Sequence, residues 1–296
     1  MLQRVREFAS RLGLKIPRRL TTPSNWRRLN ATTDEVSQQV EYGLLGGGHY
    51  ENWLRTLGVD IRSAGVAELG PGVVFGAAAY LRAAGAEVTL IDRWLAGWTA
   101  GYHDAVYEAM IKRIEAEHPA HDCAPLRQLV VEGAYGPKTL KALQAPVEAL
   151  DMIEDATFDA VVSNAVLEHI ADPKRAFSEI FRITKPGGVG VHQVDYRDHR
   201  NFDAPLEHLL LSEQKFDALN RKVNMEYGSQ RRHSDYASLL TDAGFVIEAY
   251  HQNATASQTY LDDTIARMKV AGAPRWSQTA RDELANLGGL FLLRRP

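Results

Sequence analysis

The run Val66-Ala67-Glu68-Leu69-Gly70-Pro71-Gly72 constrains this chain more than any other stretch. A short apolar run meets a glycine turn, and Phe75 to Ala84 then resumes at helical spacing. The pattern predicts a strand, a turn whose backbone can approach a ligand closely, and a helix. A second apolar run, Glu87-Val-Thr-Leu-Ile-Asp92, ends on a carboxylate about twenty residues past the turn, where such units set an acid against ribose hydroxyls. Taken alone, the unit suits a dinucleotide as well as other nucleoside-bearing cofactors.

Glu68 breaks the tie. A carboxylate two residues before the first glycine would repel a pyrophosphate seated on the helix N-terminus. S-adenosylmethionine has no phosphate and brings an ammonium and a sulfonium, both compatible with a nearby carboxylate. The glycines agree, since Gly70, Gly72 and Gly76 give G-x-G-x-x-x-G rather than the dinucleotide spacing G-x-G-x-x-G.

A second block carries a family resemblance. Phe158-Asp-Ala-Val-Val-Ser-Asn-Ala-Val-Leu-Glu-His169 is followed by Asp172-Pro173, an amphipathic stretch to Ile183, Lys185-Pro-Gly-Gly188 and Val189-Gly-Val-His-Gln-Val-Asp195. From about Gly65 to Asp195 the chain resembles class I S-adenosylmethionine-dependent methyltransferases of the broad type 11 group. Glu-Leu-Gly-Pro-Gly72 and His-Gln-Val-Asp-x-Arg-Asp-His199 resemble a bacterial branch that modifies glycans and small molecules. The resemblance implies an α/β, Rossmann-like fold: a doubly wound, mostly parallel seven-stranded sheet with an antiparallel last strand, and helical insertions forming a lid. It also implies that Glu68, Gly70, Pro71 and Gly72 hold the methionine end of the cofactor and Asp92 the ribose. Adenine is expected against the loop Ala145–Leu150. Pro146 stands there where family members often carry an acid, so Val147 and Glu148 become the candidate contacts. Asn164, at the end of the fourth strand, is expected to face the methionine moiety or to cap the next helix.

At 296 residues and 45% apolar, the chain can bury one large core. A formal charge of -3 gives no overall reason to expect nucleic acid, although Arg4, Arg6, Arg11, Lys15, Arg18, Arg19, Arg27 and Arg28 make a basic arm on an acidic body. A single cysteine, Cys123, rules out an intramolecular disulfide and a thiolate zinc cluster, which favours the reducing cytoplasm. No apolar run reaches membrane-spanning length, and the basic start lacks the apolar core of a secretory peptide.

Along the chain, Leu2, Val5, Phe8, Ala9 and Leu12 share one face of a predicted N-terminal helix with arginines opposite. Such a helix either docks on the main domain or touches a membrane surface or lipid carrier. Pro17, Pro23 and Ser24 mark a linker. Gly43 to Tyr50, centred on Gly46-Gly47-Gly48, is too glycine-rich for a helix, and predicts either a hinge or a flap over the cofactor with His49 and Tyr50 as contacts. The expected organisation is a basic helical extension and flap over residues 1–50 and a methyltransferase domain over 51–296. Insertions at 94–145 and 196–240 leave strand ends and are expected to build the acceptor pocket. The first carries a helix from Ala100 to Glu117, and strands are expected at 243–250 and 289–294.

Three histidines compete for the general base of a hydroxyl acceptor. His169 follows Glu168 at a strand-to-helix junction, His192 lies inside the fifth strand, and His199 lies just past it beside Asp195 and Asp198. His199 is the expected base with Asp195 or Asp198 orienting it, His169 is a second catalytic candidate, and His192 reads as a core histidine. Glu168-His169 is also similar to a pair that holds a divalent cation in ubiquinone-type and small-RNA 2'-O-methyltransferases. Those families add a glutamate three residues earlier, where this chain has Ala165, so no metal is assigned. The expected function is methylation of a hydroxyl on a small molecule or glycan, with no nucleic-acid partner. The alternatives are a metal-assisted RNA 2'-O-methyltransferase using the basic arm, and a non-catalytic S-adenosylmethionine-binding protein.

Overall fold

The computed structural model describes residues 32–272 and 274–296. The predicted N-terminal basic helix and its lipid-contact role lie outside the described residues.

Helix α1 (Thr33–Thr56) leads into strand β1 (Gly65–Leu69), helix α2 (Gly76–Ala83) and strand β2 (Glu87–Asp92). Helices α3 (Tyr102–Glu117) and α4 (Ala124–Glu132) precede strands β3 (Lys141–Gln144) and β4 (Phe158–Asn164). Helix α5 (Pro173–Ile183), strand β5 (Thr184–Asp195), helices α6 (Glu213–Lys222) and α7 (His233–Asp242), strand β6 (Val246–Thr255), helix α8 (Gln258–Val270) and strand β7 (Asn286–Arg294) follow. The sheet order is β3-β2-β1-β4-β5-β7-β6. The pairs among β1 to β5 are parallel, and β7 enters antiparallel between β5 and β6. This is the Rossmann-like doubly wound architecture that the family resemblance implies.

Both sheet faces are covered, as a parallel sheet requires. Residues of α1 to α4, among them Leu44, Leu81, Met110 and Leu126, form one core with the inward side chains of β1 and β2. Phe177, Ile180, Tyr236 and Leu240 from α5 and α7 form the other with Leu69, Val161 and Phe291. The sequence dictates α5 locally. Asp172 accepts the Arg175 amide as N-cap, Pro173 opens the first turn, and Ala176, Phe177, Ile180 and Ile183 make a continuous buried stripe. A buried guanidinium ties the 196–240 segment to the start of β7: Arg232 donates to the carbonyls of Tyr196, Leu284 and Asn286. Burial pulls its pKa down to about 10, so it stays charged.

The glycine-rich stretch departs from expectation. Residues 43–50 are neither flap nor hinge but the middle of α1, which runs unbroken across the expected boundary at residue 50. Helix propensity loses here to a close tertiary approach. A Cβ on Gly43 would lie 2.8 Å from Gly76 Cα, and one on Gly47 would overlap Tyr80. The glycines therefore form a slot into which α2 packs backbone to backbone. His49 is exposed and touches no ligand cleft, whereas Tyr50 is buried.

This packing predicts an asymmetry among neighbouring glycines. Gly47→Leu should destabilise the protein by about 1–3 kcal/mol through overpacking. Gly48→Ala, whose Cβ meets only the Tyr80 hydroxyl at 3.9 Å, should be neutral or stabilising by up to roughly 1 kcal/mol. Urea denaturation of the two variants checks it, and equal loss in both would remove the slot.

Candidate active site

In an open α/β sheet, ligands collect where strand order reverses, here between β1 and β4. A cleft of about 610 Å³ opens there at the carboxyl ends of the strands. Its walls include Gly70 and Gly72 after β1, Asp92 ending β2, Val147 after β3, Val166 after β4, and His169 and His199. The glycine turn is obligatory in its residue types. Gly70 and Gly72 have φ of 62° and 77°, and a Cβ on Gly70 would overlap Val166, while Gly72 faces open space. Tyr107 and His103 of α3 buttress this turn from behind through the carbonyls of Val74 and Val73.

Glu68 lies beneath the turn with 5% of its surface exposed. Burial pushes its pKa up to about 8 against the opposing effect of the Ala78 amide, and its Oε2 has no hydrogen-bond partner. A buried carboxyl left half-satisfied beside an open glycine turn fits a cationic group of a ligand. Asp92 is also raised by burial, opposed by the Trp94 amide that donates to Oδ1 at 2.8 Å. Pro71 is buried within the turn and does not line the cleft.

Two expected contacts are redirected. Val147 lines the cleft, but Glu148 turns away: its Oε1 accepts the Ala171 amide at 3.1 Å and stands 3.9 Å from Arg93. Asn164 neither caps a helix nor lines the cleft; its Nδ2 donates to the Tyr42 hydroxyl of α1 at 2.9 Å.

The same cleft is lined by the expected catalytic histidines. His169 Nδ1 donates to the Met225 carbonyl at 2.7 Å, which leaves Nε2 as the acceptor nitrogen. Burial lowers its pKa to about 4, so the ring is neutral. The His199 ring lies 4.9 Å from that of His169, and its Nε2 is 3.6 Å from Asp195 Oδ2. Burial pushes Asp195 up, but the nearby His199 ring and hydrogen bonds from Arg197 outweigh it and hold the carboxyl well below the usual range. Asp198 does not orient His199: it is buried, and its carboxylate closes a turn on the Arg200 amide and guanidinium. Glu168 is fully buried, raised by burial to about 8, and accepts the Asp195 amide at 3.3 Å through Oε1. His192 pairs with Ser163 Oγ at 2.8 Å inside the sheet, the core position expected of it.

The two insertions divide the work unevenly. From 94–145 only Trp94 reaches the cleft, and the rest packs behind the glycine turn; from 196–240 come His199, Phe202, Asn224 and Glu226. Sequence reasoning missed Arg197, which grips Asp195 in a two-pronged pair, and Tyr42, whose partner lies 122 residues away. The Asp-x-Arg repeat at Asp195-Tyr196-Arg197 and Asp198-His199-Arg200 was the available signal for the first.

Residues 67–191 match the family described as "Methyltransferase domain". Over 130 residues, 43% of this chain, the sequence is 27% identical to a ubiquinone biosynthesis O-methyltransferase of Psychrobacter arcticus, covering 49% of that protein. The chain thus spans about half the length of the curated relative it matches. Among solved structures, an S-adenosylmethionine-dependent methyltransferase from Mesorhizobium loti is similar at 16% identity and a TM-score of 0.48, over 82% of this chain and 95% of that one. Phosphoethanolamine N-methyltransferase 2 of Haemonchus contortus in complex with S-adenosyl-L-methionine is similar at 15% identity and a TM-score of 0.48, over 96% of this chain and 62% of that one.

Glu68 sets a proton balance that calorimetry can read. In the ligand-free protein it is protonated at pH 7, because its pKa is raised to about 8; an ammonium beside it favours the ionised form. Binding of S-adenosylhomocysteine at pH 7 should therefore release protons, seen as an enthalpy that varies with buffer ionisation heat, and affinity should rise from pH 6 to about 8. Glu68→Gln should abolish the buffer dependence; its persistence would assign the proton to another group.

Proposed function

We propose that this chain, whose residues 67–191 are a class I S-adenosylmethionine-dependent methyltransferase domain, methylates a hydroxyl on a small molecule or glycan, with His199 as general base. The observation that carries this reading is one cleft lined both by the glycine turn and Asp92 and by the paired rings of His169 and His199. Bound in it, S-adenosylmethionine supplies a methyl group already activated on a sulfonium. The protein is left with two tasks: holding the acceptor oxygen in line with that methyl and taking its proton.

The histidines divide these tasks by their surroundings. His169, with a pKa near 4, is too weak a base to retain a proton at neutral pH, but its Nε2 can accept a hydrogen bond and fix the acceptor hydroxyl. His199 has the ionised Asp195 beside it, which stabilises the imidazolium formed by proton uptake. The likeness to an O-methyltransferase over 130 residues supports oxygen as the accepting atom.

One observation favours a second reading. One ligand atom each from Glu168, His169 and His199 lie within 4.8 Å of one another, close enough to hold a divalent cation. A cation there would acidify the acceptor hydroxyl, and Glu168 would ionise to receive it. Under the leading reading, His199→Ala lowers kcat about a hundredfold or more, leaves affinity for S-adenosylhomocysteine intact, and the wild-type rate is indifferent to chelators. Loss of turnover with chelator and its return with magnesium would replace the unaided base with the metal-assisted route.

A further inference from the structure

The turn after α6 follows a backbone path that ordinary side chains avoid. Asn224 and Met225 have φ of 54° and 68°. Asn tolerates this left-handed region, but for Met it is an unfavourable conformation, held only where the surroundings impose it. The strained turn lies at the cleft. Asn224 and Glu226 line it, and the Met225 carbonyl accepts the His169 Nδ1–H at 2.7 Å. The same carbonyl accepts the Gly228 amide at 3.2 Å, which engages both of its lone pairs. Gly228 then passes beside the other histidine: a Cβ on it would lie 3.6 Å from the His199 ring.

One buried amide imposes this path. Helix α6 buries only Phe216 and Asn220, one helical turn apart. Packing alone would be served by an apolar residue in place of Asn220, yet its side chain is spent on the turn. Nδ2 donates to the Gly228 carbonyl at 2.6 Å, and Oδ1 accepts the Tyr227 amide at 3.0 Å. The Asn220 carbonyl accepts two more amides, from Val223 at 3.1 Å and Met225 at 3.0 Å. Both ends of the turn are thus gripped by a single residue that is itself fully buried and does not line the cleft.

We propose that Asn220 is a positioning residue: through the strained turn at Asn224-Met225 it locks His169 in the tautomer with its proton on Nδ1. A neutral imidazole has one N–H, and the partner of that N–H decides which nitrogen accepts. With Nδ1–H committed to Met225, the Nε2 lone pair is kept for the cleft. A ring released from Met225 is free to carry its proton on Nε2, and then offers a donor where the hydroxyl to be methylated needs an acceptor. That task of His169 rests on the methyl-transfer reading of the cleft; the lock itself does not.

Proton–nitrogen NMR of the imidazoles, in the full chain carrying isotope-labelled histidine, reads the tautomer directly, with His169 assigned by its loss in His169→Gln. At neutral pH the wild type should show His169 as the Nδ1–H form. Asn220→Leu keeps the shape of the side chain and suits a buried helix position, but removes both side-chain hydrogen bonds to the turn. It should lower the ratio of Nδ1–H to Nε2–H about tenfold, the worth of one hydrogen bond. Met225→Gly and Met225→Val test the turn without touching the buried amide. Both delete the Met side chain, but glycine accepts a positive φ and β-branched valine resists it, so Met225→Gly should keep the wild-type ratio and Met225→Val should lower it. Thermal melting establishes that each variant is folded. An Nε2–H form in the wild type, an unchanged ratio in folded Asn220→Leu, or equal ratios in the two Met225 variants overturns the proposal; the last arm decides if Asn220→Leu does not fold. S-adenosylhomocysteine is titrated alongside, and a wild type that does not bind it would contradict the cofactor reading while the tautomer result stands on its own.

Discussion

The backbone at Gly70 passes so close to Val166 that no side chain fits between them, and the cleft depends on that approach. It ties the end of β1 to the end of β4, the two strands across which the sheet reverses its order. A side chain at Gly70 would force these ends apart and would also require an unfavourable left-handed backbone. On the other side of the same turn, Gly43 and Gly76 admit α1 to backbone contact. The glycine turn is thus fixed by close contact from both sides, which keeps its ligand-facing backbone in place before any ligand arrives.

Electrostatics then gives the cleft two distinct carboxyl sites. Glu68 and Glu168 are both buried carboxyls raised to about 8 by desolvation, one under the glycine turn and one beside the histidine pair. Their surroundings separate their roles. Glu68 keeps an unpartnered Oε2 beneath the turn, where a cation can relieve it; Glu168 accepts the Asp195 amide and lies with His169 and His199 in one cluster. Asp195 shows the reverse behaviour, because Arg197 and His199 keep it ionised. A neutral ring, an ionised carboxylate and a protonated carboxyl within one cluster divide hydrogen bonding from proton uptake without any change of fold.

Much of this was legible from residue types. The strand, glycine turn, helix and downstream carboxylate are local patterns, and the structure keeps all four with Asp92 in the cleft wall. The residue pattern also marked β7, and its antiparallel entry is the one that the family resemblance implies. The errors share a cause, which is contact between segments far apart in sequence. Nothing near Gly46-Gly47-Gly48 announces that Tyr80 occupies the space of a side chain at Gly47. Asn164 sits at the expected strand end, but its partner lies on α1. Glu148 stands in the expected loop and is drawn off by the Ala171 amide. Asp195 and Asp198 look equivalent beside His199, yet the turn after β5 buries Asp198 on Arg200 and leaves only Asp195 within reach of the ring.

The central claim is an orientation: the cofactor's amino-acid end at Glu68, its ribose at Asp92 and its sulfur toward His169 and His199. A crystal structure of the protein with S-adenosylhomocysteine bound tests it most directly. The account predicts the ligand ammonium on the Glu68 carboxylate, the ribose hydroxyls on Asp92, and the sulfur facing the two histidines across open cleft. A ligand seated with its ribose away from Asp92, or with its amino-acid end against His199, would contradict it.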